Sequence, residues 1–274
     1  MCSEELELFR SVSSVMGDLV RVVEAASVRS LYLSELIQSD AIVEADGTIS
    51  FAQPDEHVPL LLALALAWLE HGAAARMLLC GVGGGNVMRC IARLIPLARV
   101  HGVELEPEVL EAAIKYFGLE LGELITAEVD DARAFLKRCA SAIKGRSESE
   151  SEVASSEHER QEYRTESRAT MSTPRNEHPS DDAKPFDVLM IDCFSGEGLA
   201  EAVLNGSALR HAAACLTPVL HCGEQDTCSS PCATFGGLCI VNLHTARGKE
   251  AMGDTDYIAS KKVSDYRVDT PSQV

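Results

Sequence analysis

The stretch LLCGVGGGNVMRC, Leu78 to Cys90, restricts the fold more than any other part of the chain. A short apolar run ends in Gly81, Gly83, Gly84 and Gly85, and a helix-like pattern follows at once. Residues without Cβ permit a tight strand-to-helix turn and let a ligand rest against backbone and helix amino terminus. The same composition also serves plain strand–helix packing, so the turn alone leaves both roles open.

The surrounding rhythm narrows the choice. RMLLCG reads as a buried strand, and Val87, Met88, Ile91, Leu94 and Ile95 form one helix face that Pro96 stops. ARVHGVEL is a second strand. Pro107 opens a second helix, with Val109, Leu110, Ala113, Ile114 and Phe117 inward and Gly118 as its stop. LITAEV is a third strand, and Ala132, Phe135, Leu136, Cys139 and Ile143 face one way on a third helix. FDVLMID, the helix GLAEAVLNGSALRHAAACL and the strand in GGLCIVNLH continue the alternation. Such a pattern specifies an α/β fold: a Rossmann-like, doubly wound, mainly parallel sheet with helices on both faces.

Residues 1–57 read as an extension and 58–274 as the main domain. Leu8, Phe9, Val12, Val15, Met16, Leu19, Val20 and Val23 recur at helical spacing and predict an amphipathic N-terminal helix. Its apolar face suits core or interface, which leaves a homodimer open. LIQSDAIVEADGTISF predicts a hairpin turning at Asp46-Gly47. The apolar run Val58 to Leu69 is shorter than the ~20 residues a bilayer span needs, so it reads as a buried helix rather than a membrane segment.

Two interruptions break the pattern. Residues 145–184 are Ser, Glu, Arg and Thr with almost no apolar side chain, and predict a disordered insertion, with a charged helix as the alternative for part of it. Residues 219–235, VLHCGEQDTCSSPCATF, predict an inserted loop, because excising them joins LTP to GGLCIVNL. His221, Cys222, Cys228 and Cys232 lack the paired C-x2-C knuckle of a zinc site, so no metal is expected.

The formal net charge of −18 disfavours nucleic acid and favours cationic partners. The ten cysteines are scattered and MCSEELELFR shows no basic-then-apolar leader, so the expectation is reduced thiols and a cytoplasmic location.

Acidic residues at successive strand ends carry the chemistry. Glu104 ends the second strand, about 20 residues past the glycines, where nucleotide-binding sheets place the acid that accepts from ribose hydroxyls. Asp130 and Asp131 follow the third strand, where capping the next helix is the competing role. Asp192 ends the fourth. Glycines and acids would then share the carboxyl edge of one parallel sheet, where open α/β folds bind ligands. A nicotinamide dinucleotide fingerprint would need a third glycine where Asn86 stands.

Taken in order, LLCGVGGGNVMRC, VHGVELEPEVLEAAIKYFG, VDDARAFL, FDVLMIDCFSG and LTP with GGLCIVNL resemble the spermidine-synthase-like branch of the class I S-adenosylmethionine-dependent methyltransferases. The resemblance runs from about Met77 to His244 and is nearest to members with a G-L-G-G-G turn, such as the methyltransferases of elongation factor 1A. It implies that Gly81, Gly83 and Gly85 line the methionine portion of S-adenosyl-L-methionine. Glu104 would hold the ribose, Asp131 with Ala132 would address the adenine, and Asp192 would sit beside the sulfonium. It implies methyl transfer to an amine of a protein or small cationic acceptor, with Asp192 as base or as a positioning group. The aminopropyltransferases of the branch carry an Asp where this chain has Gly84, and a second acid where it has Ser195. Polyamine chemistry is therefore the alternative enzyme. The other alternative is an inactive interaction protein, since the residues after Leu243 offer no convincing strand pair and the sheet is expected to lack C-terminal strands.

Overall fold

The computed structural model describes residues 5–54, 57–69, 74–161, 184–195, 198–199, 206–218 and 236–242. At the amino terminus, β1 (Leu6–Val12), β2 (Leu19–Ala25), β3 (Val28–Leu33) and β4 (Leu36–Ile42) form an antiparallel meander in that order. The amphipathic helix expected over Leu8–Val23 is therefore corrected to a hairpin. Gly17 adopts φ +78°, and the Ser13 N–H donates to the Asp18 carbonyl at 2.7 Å, which turns the chain in the middle of the apparent stripe. Val20 and Val22 are fully buried at a spacing of two, as β-branched residues pack on a pleated face. The turn expected at Asp46-Gly47 is present, with Gly47 at φ +85° and the Thr48 N–H donating to Asp46 Oδ1 at 2.9 Å.

α1 (His57–Trp68) buries Val58, Leu61, Leu62 and Ala65. Its opposite face exposes Leu60, Leu64 and Leu66, so it is half-buried rather than enclosed. The alternating elements then follow: β5 (Arg76–Cys80), α2 (Asn86–Leu94), β6 (Arg99–Glu104), α3 (Pro107–Tyr116), β7 (Ile125–Val129), α4 (Ala132–Gln161) and β8 (Val188–Ile191). The two-residue strands β9 (Phe194–Ser195) and β10 (Gly198–Leu199) pair with each other. α5 (Gly206–Ala214) and β11 (Leu238–Val241) complete the described elements.

Five strands form one parallel sheet in the order β11-β8-β5-β6-β7. One face packs α1 and α2 around Met77, Leu79, Met88, Ile91 and Met190. The other packs α4 and α5 around Leu78, Phe135, Leu136, Leu189 and Ala212. The helices therefore cover both faces, as a doubly wound sheet requires. A third cluster joins the N-terminal meander to α3 through Val20, Leu31, Ala112 and Phe117.

α4 runs on to Gln161, so the first part of the expected disordered insertion 145–184 is helix instead. Beyond Gly145 the run 146–161 contains no Gly or Pro to break a helix. The remainder of that segment up to residue 183, the loop 219–235 and the residues after 242 lie outside the described residues. Among the described residues no helix is long and apolar enough to cross a membrane, and no group of His, Cys, Asp and Glu is arranged to hold a metal ion.

Candidate functional site

β5 brings the glycine turn to the carboxyl edge of the sheet, with β6 on one side and β8 on the other. The chain leaves β5 toward β6 and later returns on the other flank to β8. Neighbouring strands thus lead away in opposite directions, which opens the crevice where doubly wound folds bind ligands.

Gly81, Gly83 and Gly85 have φ of +91°, +55° and +76°, a region that L side chains rarely adopt. The turn is bare because protein approaches it on several sides. A Cβ on Gly81 would lie 2.1 Å from the Asp192 carbonyl oxygen. One on Gly84 would lie 2.8 Å from Ser39 Cβ and 3.0 Å from Phe117 Cδ1, and one on Gly85 3.1 Å from Leu119. The turn's amides have partners as well. Gly81 donates to the Val103 carbonyl at 2.8 Å and Gly85 to the Val82 carbonyl at 2.9 Å. Val82 and Gly83 donate to Glu104 Oε2 at 2.9 and 3.1 Å, and Gly84 donates to Ser39 Oγ at 2.8 Å. A pyrophosphate cradle needs such amides free. Here they are satisfied internally, and the acids at this edge suit a ligand that donates hydrogen bonds.

Glu104 is 8% exposed and joins the turn to the end of β6. Its Oε1 accepts a longer bond from the Glu106 N–H, 3.2 Å, which leaves that oxygen the better able to accept from a bound hydroxyl. Burial pushes the carboxyl above the usual carboxylate range, against the pull of the backbone amides that bond it. Glu104 is thus a buried acceptor on a strand end beside a bare turn.

Asp131 stands one strand further out. Its Oδ1 accepts the Arg133 N–H at 2.8 Å, so it caps α4, and the Arg133 guanidinium holds its carboxyl below the usual range. Ala132 is buried at the first position of that helix. Asp130 pairs with Arg138, and its N–H donates to the Glu104 carbonyl at 2.9 Å. An open cleft of about 340 Å³ between α4 and α5 is lined by Asp131, Arg133, Lys137, Ser207 and His211. It reaches Asp131 alone of the residues expected from the sequence, and it does not include the glycine turn.

Asp192 follows β8 directly. Its N–H donates to the Cys80 carbonyl at 2.8 Å, and its Oδ1 accepts the Asn242 side-chain amide at 2.7 Å. Asn242 was not anticipated from the sequence. The parallel register pairs Val241 with Ile191, so the next residues along each strand meet at the same edge. Ser39 was missed for a different reason: its contact with the turn bridges two separate sheets, and no local pattern signals it. Cys193 lies beside this acid, but burial pushes its thiol well up, as suits a packing residue. The structure thus joins Gly81 to Asp192, and Gly83 to Glu104, by direct contact. It places Asp131 and Ala132 along the same edge.

Fold and edge together define a Rossmann-like α/β domain with a glycine turn and acidic residues at one carboxyl edge of its sheet. No protein-family model matches the chain. Over 63 residues it is 35% identical to the eEF1A lysine and N-terminal methyltransferase homolog of Drosophila pseudoobscura pseudoobscura, a match covering 23% of this chain and 9% of that protein. It is likewise 35% identical over 63 residues to the polyamine aminopropyltransferase of Vibrio vulnificus, covering 23% of this chain and 21% of that one. The matches thus take in a small part of the length of these relatives. A solved structure of a probable spermidine synthase from Corynebacterium glutamicum superposes with a TM-score of 0.52 at 16% identity, over 77% of this chain and 61% of that one, which shows the shared fold. The likeness read from the motifs is therefore present in both sequence and architecture.

Proposed function

We propose that the chain is an S-adenosylmethionine-dependent methyltransferase acting on an amine of a protein or small cationic acceptor. The observation that carries this reading is the glycine turn bonded to a buried Glu104, with its amides already satisfied. That arrangement favours a ligand rich in donors, and it disfavours the pyrophosphate of a dinucleotide. Gly81, Gly83 and Gly85 would border the methionine portion, Glu104 the ribose, Asp131 and Ala132 the adenine, and Asp192 the sulfonium end. The cofactor when bound supplies an activated methyl group on sulfur, so the protein's task is alignment of a nucleophile.

Asp192 is held by Asn242 at the edge nearest the turn. Its carboxylate can orient an incoming ammonium or accept its proton, because an amine attacks only when neutral. A cationic acceptor suits the formal net charge of −18. The curated relative named as a lysine and N-terminal methyltransferase supports a protein amine by analogy. We also assign the chain to a reducing, cytoplasmic setting, on the ground that Cys80, Cys90, Cys139, Cys193, Cys215 and Cys239 are all free thiols.

Aminopropyl transfer is the second reading, favoured by the likeness to the Vibrio vulnificus enzyme. Against it, a side chain at position 84 would meet Ser39 and Phe117, so the acid of the aminopropyltransferase turn has no room. Isothermal titration with S-adenosylmethionine, with S-adenosylhomocysteine in parallel, decides the cofactor. Absence of binding at millimolar ligand refutes the proposal. Spermidine formed from putrescine and decarboxylated cofactor would establish the second reading instead.

A further inference from the structure

The N-terminal meander reaches the glycine turn through adjacent residues of β4. Ser39 Oγ accepts the Gly84 N–H at 2.8 Å, and the Asp40 carbonyl accepts the Asn86 side-chain amide, at the first residue of α2, also at 2.8 Å. Ser39 also fills the space a side chain in the turn would take. It lies 2.9 Å from a Cβ on Gly83 and 2.8 Å from one on Gly84. Such approaches are closer than real Cβ atoms show, so the turn is shaped around the serine. Phe117, fully buried in the cluster that joins the meander to α3, closes the same side.

We propose that Ser39 is a positioning residue of the cofactor turn, clamping Gly83 and Gly84 from the N-terminal sheet so that position 84 stays without a side chain. The inference rests on the reading of this turn as the S-adenosylmethionine site. Ser39 acts through the backbone: its hydroxyl oxygen takes a turn amide that would otherwise be free to rotate or hydrate, and its bulk sets how far the turn can lean toward the meander.

The test compares Ser39→Ala with Ser34→Ala in the full chain. Ser34 lies in the turn between β3 and β4 of the same meander and donates to Asp18 Oδ1 at 2.7 Å, so its loss controls for general loosening of the meander. Ser39→Ala is expected to weaken S-adenosylhomocysteine binding about fivefold, the worth of one ordinary hydrogen bond, and to speed hydrogen exchange at the Gly84 amide. Ser34→Ala should leave both near the wild-type values. A Kd for Ser39→Ala within twofold of the Ser34→Ala value, together with unchanged Gly84 exchange, overturns the proposal. If the wild-type chain binds no cofactor, the methyltransferase reading fails, and Gly84 exchange still decides whether the clamp exists. A second measurement is independent of ligand. Gly84→Ala should lower Tm, and adding Ser39→Gly should restore part of the loss; strictly additive effects would show that the two residues do not touch.

Discussion

Replacing Gly81 by Ala tests the placement of β8 against the glycine turn. Two costs are expected. At φ +91° an L residue is strained by about 1–2 kcal/mol. The new Cβ would also lie 2.1 Å from the Asp192 carbonyl oxygen and 2.7 Å from its carbon. Backbone cannot swing aside as a flexible side chain can, so β8 must shift, at an overpacking cost of about 1–3 kcal/mol. The sum is roughly 2–5 kcal/mol. Gly47→Ala provides the reference, since Gly47 has nearly the same φ, +85°, with nothing within 4 Å of its missing Cβ. It should show the strain alone. The difference between the variants, about 1–3 kcal/mol, corresponds to roughly 2–12 °C in Tm for a chain of this size. Circular-dichroism melts of both variants provide the measurement. Equal Tm values would refute the reasoning, because Asp192 would then not lie against the turn.

Three further outcomes follow from the same site. Glu104 has its carboxyl raised by burial above the ordinary 4.5, so the stability it lends is present below that value and is lost as pH rises through the folded value. Its ionised form, which accepts hydrogen bonds best, prevails only above the folded value. Calorimetric affinity for S-adenosylmethionine should therefore fall as pH is lowered from neutral, and Glu104→Gln should flatten that dependence; a parallel pH profile in the variant contradicts the assignment. Asn242→Ala should lower the methyl-transfer kcat about tenfold, the loss of one bond to a charged group, while changing cofactor Kd less than twofold. An unchanged kcat would mean that Asp192 needs no orientation. Asp131→Ala should cost about 1 kcal/mol of stability through the lost cap of α4, with the Arg133 pair adding little because it is partly exposed, and a thermal melt checks this.

The parallel sheet was legible in the sequence because each of its strands is a short apolar run closed by a turn signal. Pro107 and Gly118 marked the ends of α3 correctly for the same reason: one has its φ fixed, and the other adopts φ +69°. The meander was misread because Leu8, Val12, Val15 and Leu19 satisfy a period of 3.6 as well as a hairpin does. The signals against a helix were the Gly17-Asp18 turn and the β-branched Val20, Val22 and Val23 of β2, which helical spacing does not weigh. Glu104 was legible from its place after an apolar strand. The Asp131 cap was legible as one of two roles. Asn242 and Ser39 were not, because their relevance lies in long-range neighbours: one follows from the pairing of β11 with β8, the other from the docking of a separate sheet.

The contact between β4 and the glycine turn has a thermodynamic consequence. Linkage is reciprocal, so whatever free energy the meander lends to occupancy of the turn, an occupant must lend back to the meander. A molecule seated over β5 would then slow local opening in strands that it never touches, and a chain shortened past β4 would keep every motif residue yet lose part of its hold on that molecule.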